Sequence, residues 1–245
     1  MLRWLLFGLV VTGVMALGGA AHASPASSPS VVFLNPGHAD EPFWRSYSEF
    51  MQVAANDLGM QLQVIYGARD SANLLSAARA IHESKEPPDY LLFVNEQFFG
   101  PEVLRLFARS PIKLFALHST LTPEQQAVVG GSREHYRNWI GSLIPNDEEA
   151  GYLMASALIA TLQHKPGEML ALSGLRQTPS AILRERGLAR ALAEHPEVHL
   201  HQLLYGEWRR QRAYEQTRTL LQRRPGIDLI WSANDEMAFG ALQAL

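Results

Sequence analysis

Seven apolar runs of strand length, at 31–34, 62–66, 90–94, 112–117, 169–172, 199–204 and 229–231, alternate with segments of helical pattern along this chain. No other feature constrains the fold as tightly. Strand, helix, strand, repeated, describes a parallel sheet whose two faces are both covered by crossover helices. Between the first runs, Tyr47, Phe50, Met51, Ala54 and Leu58 recur at helical spacing, and Leu74, Leu75, Ala78 and Ile81 do so again. Each set predicts a helix face turned to the sheet.

One stretch breaks the series. Residues 119–143 read as polar and irregular, with Thr122-Pro123, Gly130-Gly131 and Arg133-Glu134-His135-Tyr136. A helix restarts after Asn146, which stands as an N-cap with Glu149 three residues on, as in a capping box. Four strand-helix units precede the break and about three follow it. The expected architecture is α/β: two doubly wound parallel-sheet lobes joined by a hinge. Residues 31–141 form the N-terminal lobe and 142–245 the C-terminal lobe, with the first crossing near residues 141–146.

Of 245 residues, 47% are hydrophobic and 18% charged, enough apolar material for one large or two small α/β cores. A net charge of -3 and the lack of any like-charge run argue against nucleic-acid partners. Residues 1–23 carry the marks of a signal peptide: Arg3, an apolar stretch over 5–17, and Ala21-His22-Ala23 before Ser24. That stretch is short for a ~20-residue membrane span, so cleavage and release into the periplasm are expected. The chain has no cysteine, hence neither disulfides nor a lipid-anchoring thiol. Residues 24–30 form a Ser/Pro/Ala linker, and nothing after cleavage is expected to lie in the membrane.

Ligands of open α/β sheets bind outside the carboxyl ends of the strands, so the polar residues there are the candidates. After the first run comes Asn35-Pro36-Gly37-His38-Ala39-Asp40-Glu41-Pro42-Phe43-Trp44, with Pro42 suited to a first helical turn. Phe43 and Trp44 then project near the sheet edge, where aromatic faces can stack on the C–H face of a sugar; a hydrophobic staple closing onto the helix is the alternative use of either. Asn95-Glu96, His118-Ser119, Ser173-Gly174, Glu207-Trp208-Arg209-Arg210 and Asn234-Asp235 occupy corresponding places. Arg184 and Arg186 lie on the first helix of the second lobe, where pairing with Glu185 or Glu194 is the alternative use of either. Enzyme signals are poor: no dinucleotide fingerprint, phosphate loop or nucleophile elbow occurs. His195, His199 and His201 suggest zinc, yet no cysteine or carboxylate pattern completes a site, so neither metal nor cofactor is expected.

The Glu41-Pro42-Phe43-Trp44 turn, the Arg184-Glu185-Arg186-Gly187 helix and the Ser232-Ala233-Asn234-Asp235-Glu236-Met237 turn resemble the type 1 periplasmic solute-binding proteins, the ribose- and galactose-binding group. The likeness spans nearly all of 31–245. It implies ligand contacts from Glu41, Phe43, Trp44, Asn95, Arg184, Trp208 and Asn234, to which His118 is added by its place at the end of the fourth strand. The ribose-binding branch ends its fourth strand in Asp-Arg where this chain has His118-Ser119, a departure that weighs against ribose itself. The stretch 132–147 is longer than in simple sugar binders and resembles the branch that includes the autoinducer receptor.

Two partners therefore follow from the resemblance: an ABC transporter permease, or the periplasmic domain of a sensor kinase. An exported α/β enzyme is the remaining alternative. The family continues with a further strand and two more hinge crossings, so the resemblance also implies a second lobe cut short at its C-terminal end.

Overall fold

The structure is a computed structural model and describes residues 28–245; the expected signal peptide and most of the linker lie outside the described residues. Strands β1 (Ser30–Asn35), β2 (Gln61–Tyr66), β3 (Tyr90–Phe93), β4 (Lys113–Leu117) and β5 (Trp139–Leu143) form one sheet in the order β2-β1-β3-β4-β5. All its pairings are parallel. Helices α1 (Pro42–Asp57), α2 (Ser71–His82), α3 (Gly100–Leu106) and α4 (Pro123–Val129) connect them. A second parallel sheet, in the order β7-β6-β8, is built from β6 (Gly167–Ser173), β7 (Val198–Tyr205) and β8 (Leu229–Ser232). Its helices are α5 (Asp147–Ala160), α6 (Pro179–Glu194), α7 (Arg210–Arg223) and α8 (Asp235–Ala244).

The seven expected strands are all present. They are apolar throughout because both faces are covered: Val32 and Leu34 of β1 enter the core beneath α2 and α3, while Phe33 between them joins Trp44, Val94 and Leu117 opposite. In the second sheet Met169, Leu170, Ala171 and Leu172 are all fully buried.

Two expectations need correction. The region 119–143 is not irregular, since it contains α4, with a Thr122/Gln125 capping box, and β5. The first sheet thus runs to Leu143 before the chain passes to α5, where Asn146 Oδ1 accepts from the Glu149 amide at 3.1 Å. The expected face of α1 is also rotated. Phe50 and Leu58 are 77% and 72% exposed, and the buried positions are Trp44, Ser48 and Ala55. Asn35 sets that rotation by donating to the Trp44 carbonyl at 3.2 Å and to Ser48 Oγ at 2.9 Å.

Helices α5 and α6 touch backbone to backbone. A Cβ on Gly151 would lie 2.2 Å from the Arg184 carbonyl oxygen, and one on Gly187 2.0 Å from that of Glu148. Among the described residues no helix is long and apolar enough to cross a membrane.

Candidate functional site

The carboxyl ends of both sheets open onto a common cleft. At its centre lies a cavity of about 280 Å³ whose walls include Glu41, Phe43, Trp44, Arg69, Glu96 and His118 from the first sheet's loops. Facing them are Met154 of α5, Ser180 and Arg184 of α6, Trp208 after β7, and Asn234 and Asp235 after β8. The size suits a small ligand. Two larger spaces of about 540 and 550 Å³ adjoin it, one beside Ile144 and Ile182, the other at the mouth beside His38 and Arg209. Of the three, the central one alone brings together Phe43 and Trp44 of the first sheet's loops with Trp208 of the second.

Backbone strain concentrates at the same edge. Ala68 and Arg69 after β2, Gln97 and Phe98 after β3, His118 after β4, and Glu207 and Trp208 after β7 all have φ between 51° and 65°. Residues with a Cβ pay about 1 kcal/mol or more for this region. It turns Arg69, His118 and Trp208 into the cleft instead of along the strand direction.

Arg69 is the charged hub of the first-sheet wall. Its Nε donates to Glu41 at 3.0 Å, and its two terminal nitrogens pair with Glu41 and Glu96. Its guanidinium lies 6.0 Å from the Trp44 ring. Burial raises the Glu96 carboxyl above its ordinary value, against the pull of Arg69. Beside them His118 sits edge-on to Trp44 at 5.2 Å and 5.3 Å from Phe43. Burial, then the positive charges of Arg184 and Arg69, lower its pKa to about 4. At neutral pH it is an uncharged imidazole, with one donor and one acceptor nitrogen.

Across the cleft Arg184 binds three elements together. It donates to Asp147 at 2.9 Å and to the Ala233 carbonyl at 2.6 Å, and lies 5.9 Å from the Trp208 ring. Burial raises the Asp147 carboxyl, and Arg184 opposes the rise. Trp208 rests on Gly174, where a Cβ would come 2.0 Å from the indole. Asn234 uses Oδ1 to cap α8, accepting from the Met237 amide at 3.0 Å, so its amide NH2 is what it offers the cavity.

Seven of the eight residues expected from sequence therefore meet at one cavity: Glu41, Phe43, Trp44, His118, Arg184, Trp208 and Asn234. Asn95 does not. It is fully buried, with Nδ2 donating to the Thr120 carbonyl at 2.8 Å and to Gln125 at 2.7 Å. Its Oδ1 accepts from the Gly100 amide at 2.8 Å, so its hydrogen-bonding capacity goes to bracing the loops after β3 and β4. Trp44 reaches the cavity only by an edge, being 2% exposed.

Sequence reasoning missed Arg69, Ser180 and Met154. The signal for Arg69 was available: Gly67-Ala68-Arg69-Asp70 ends β2 just as the chosen motifs end their strands.

A family model described as a periplasmic binding protein domain matches residues 142–245. A ribose import binding protein of Haemophilus influenzae is 25% identical over 228 residues, covering 93% of this chain and 72% of that protein. A D-allose-binding periplasmic protein of Escherichia coli is 23% identical and aligns with 83% of this chain and 64% of its own length. Among solved structures, a periplasmic sugar-binding protein from Pseudomonas fluorescens is 53% identical with a TM-score of 0.79, over 88% of this chain. This chain spans 63% of the length of that structure.

Proposed function

We propose that the chain is a type 1 periplasmic solute-binding protein and that it binds, without chemical turnover, a small polar solute of the sugar class for delivery to an ABC importer. One observation carries the reading: aromatic faces and hydrogen-bonding groups from two separate parallel sheets converge on one small cavity at the strands' carboxyl ends. The lobes are assigned to 31–141 and 142–245, and the compartment is the periplasm, reached by removal of residues 1–23. Phe43 and Trp208 stack on the ligand's C–H faces from opposite sides. Glu41, Arg69, His118, Arg184 and Asn234 take its hydroxyls, and Trp44 forms the floor.

The importer is preferred as partner because relatives are named for import. The sensor-kinase alternative drew on the stretch 132–147, whose Trp139 is buried in the first core within β5. Neighbouring permease genes support the importer, and a neighbouring kinase gene the alternative.

Calorimetric titration with pentoses, hexoses and inositols tests the binding claim. A saturable one-to-one isotherm is expected with at least one of them. Trp208→Ala then weakens affinity by about 1–3 kcal/mol of lost burial, or roughly ten- to hundredfold. Gly174→Ala acts the same way by pushing the indole off its seat. Absence of binding to the whole panel, or unchanged affinity in Trp208→Ala, overturns the reading.

A further inference from the structure

On the edge of the second sheet, far along β6 and β7 from the cleft, a second cluster of ligating side chains is present. Glu168 of β6 stands opposite His199 of β7 in the strand register. Its Oε2 lies 3.0 Å from His199 Nδ1 and 3.6 Å from His201 Nδ1, and all three ligating atoms lie within 4.8 Å of one another. The zinc reading of the sequence lacked a carboxylate; the fold supplies it from the neighbouring strand.

Local backbone geometry favours a built arrangement. Leu200 pairs with Met169 and Gln202 with Leu170, so His201 is the residue that a β-bulge inserts between them. Bulges re-aim a side chain, and this one brings a second imidazole to the same carboxylate oxygen. The Glu168 main chain is held in turn, its amide donating to Asp228 at 2.9 Å. At 3.6 Å the His201 contact is too long for a hydrogen bond, so hydrogen bonding alone does not account for the convergence. Tetrahedral zinc with bonds of about 2.0–2.1 Å places its ligand atoms about 3.3 Å apart. The observed 3.0 and 3.6 Å bracket that spacing.

We propose that Glu168, His199 and His201 bind one zinc ion on the outer edge of the second lobe, with water as the fourth ligand. Two nitrogens and one carboxylate oxygen are a borderline-soft donor set of the kind zinc takes. His199 is 70% exposed and β7 is the edge strand, so the ion exchanges freely with solvent. The site is separate from the sugar cleft and does not depend on it.

The test is zinc chloride titrated into chelator-stripped protein, read by competition with a chromophoric chelator. About one equivalent per chain is expected to bind, reversed by EDTA. Glu168→Gln, or the double variant His199→Ala/His201→Ala, weakens binding by more than the roughly 10- to 100-fold that loss of an outer-shell partner costs. His195→Ala, which removes a histidine paired instead with Glu197 at 3.1 Å, leaves it unchanged. Circular dichroism of each variant confirms the fold. No stoichiometric binding, equal binding in the double variant, or equal loss in His195→Ala overturns the proposal.

Discussion

His118 shows what the fold does to single residues at the cleft. Its φ of 61° turns the ring from the end of β4 into a nest of Phe43, Trp44 and Tyr47, under the field of two arginines. A histidine whose pKa falls from 6.5 to about 4 on folding binds its proton more tightly when unfolded. Its contribution is therefore complete above pH 6.5 and lost as the pH drops toward 4, up to about 3 kcal/mol. Glu96 and Asp147, both raised, act with the opposite sign, so a bare pH profile mixes the three. Urea unfolding of the parent and of His118→Gln at pH 7 and pH 4.5 separates them. The parent should lose the larger share of stability on acidification, and parallel losses would contradict the assignment. Residue roles were only partly legible in sequence. Asn95 and Asn234 both end strands, yet one is consumed inside the fold and the other faces the cavity. Which of the two an asparagine does depends on the loop folded over it, and that loop is not local sequence.

At the scale of elements, close helix contact does the positioning. Helices α5 and α6 carry Met154, Ser180 and Arg184 to the cavity wall, with Asp147 paired to Arg184, and Gly151 and Gly187 set how near the helices lie. An alanine inside a helix ordinarily stabilises it relative to glycine by up to about 1 kcal/mol. At Gly187 the new Cβ would lie 2.0 Å from the Glu148 carbonyl oxygen and 2.4 Å from the Tyr152 nitrogen, atoms that cannot give way singly. Gly187→Ala should therefore destabilise by about 1–3 kcal/mol in denaturant unfolding and weaken ligand binding as well. Gly226→Ala, with nothing within 4 Å, is the control and should stay within about 0.5 kcal/mol. A stabilised Gly187→Ala would refute the packing. Elements differed in legibility for a physical reason. Strands covered on both faces are runs of apolar residues and announce themselves. Strand β5 reads Trp-Ile-Gly-Ser-Leu with only Trp139 buried, so as an edge strand it resembles a loop. Helix α1 misled because Phe50 and Leu58 are apolar but exposed, and a hydrogen-bonding asparagine fixed its rotation.

For the whole molecule, the decisive fact is what does not join the two sheets. Among the described residues every ion pair stays within one sheet and its helices: Arg69 with Glu41 and Glu96 on one side, Arg184 with Asp147 and Arg210 with Glu236 on the other. Helix α6 meets the Glu96–Phe98 turn beside the cavity, and the chain passes between the sheets over the short segment from Leu143 to Asp147. A ligand bonding to both walls then adds a polar bridge that these ion pairs do not make, which favours hinge closure around it. Closure and binding predict separate signals. Saturating ligand at 100 times its dissociation constant should raise unfolding stability by about 2.7 kcal/mol by mass action alone. Solution X-ray scattering should show a smaller radius of gyration with ligand present, and Trp208→Ala, which strips one wall of its stacking face, should need more ligand to reach the same compaction. Stabilisation without compaction would mean that the solute rests on one wall and that the sheets do not close on it.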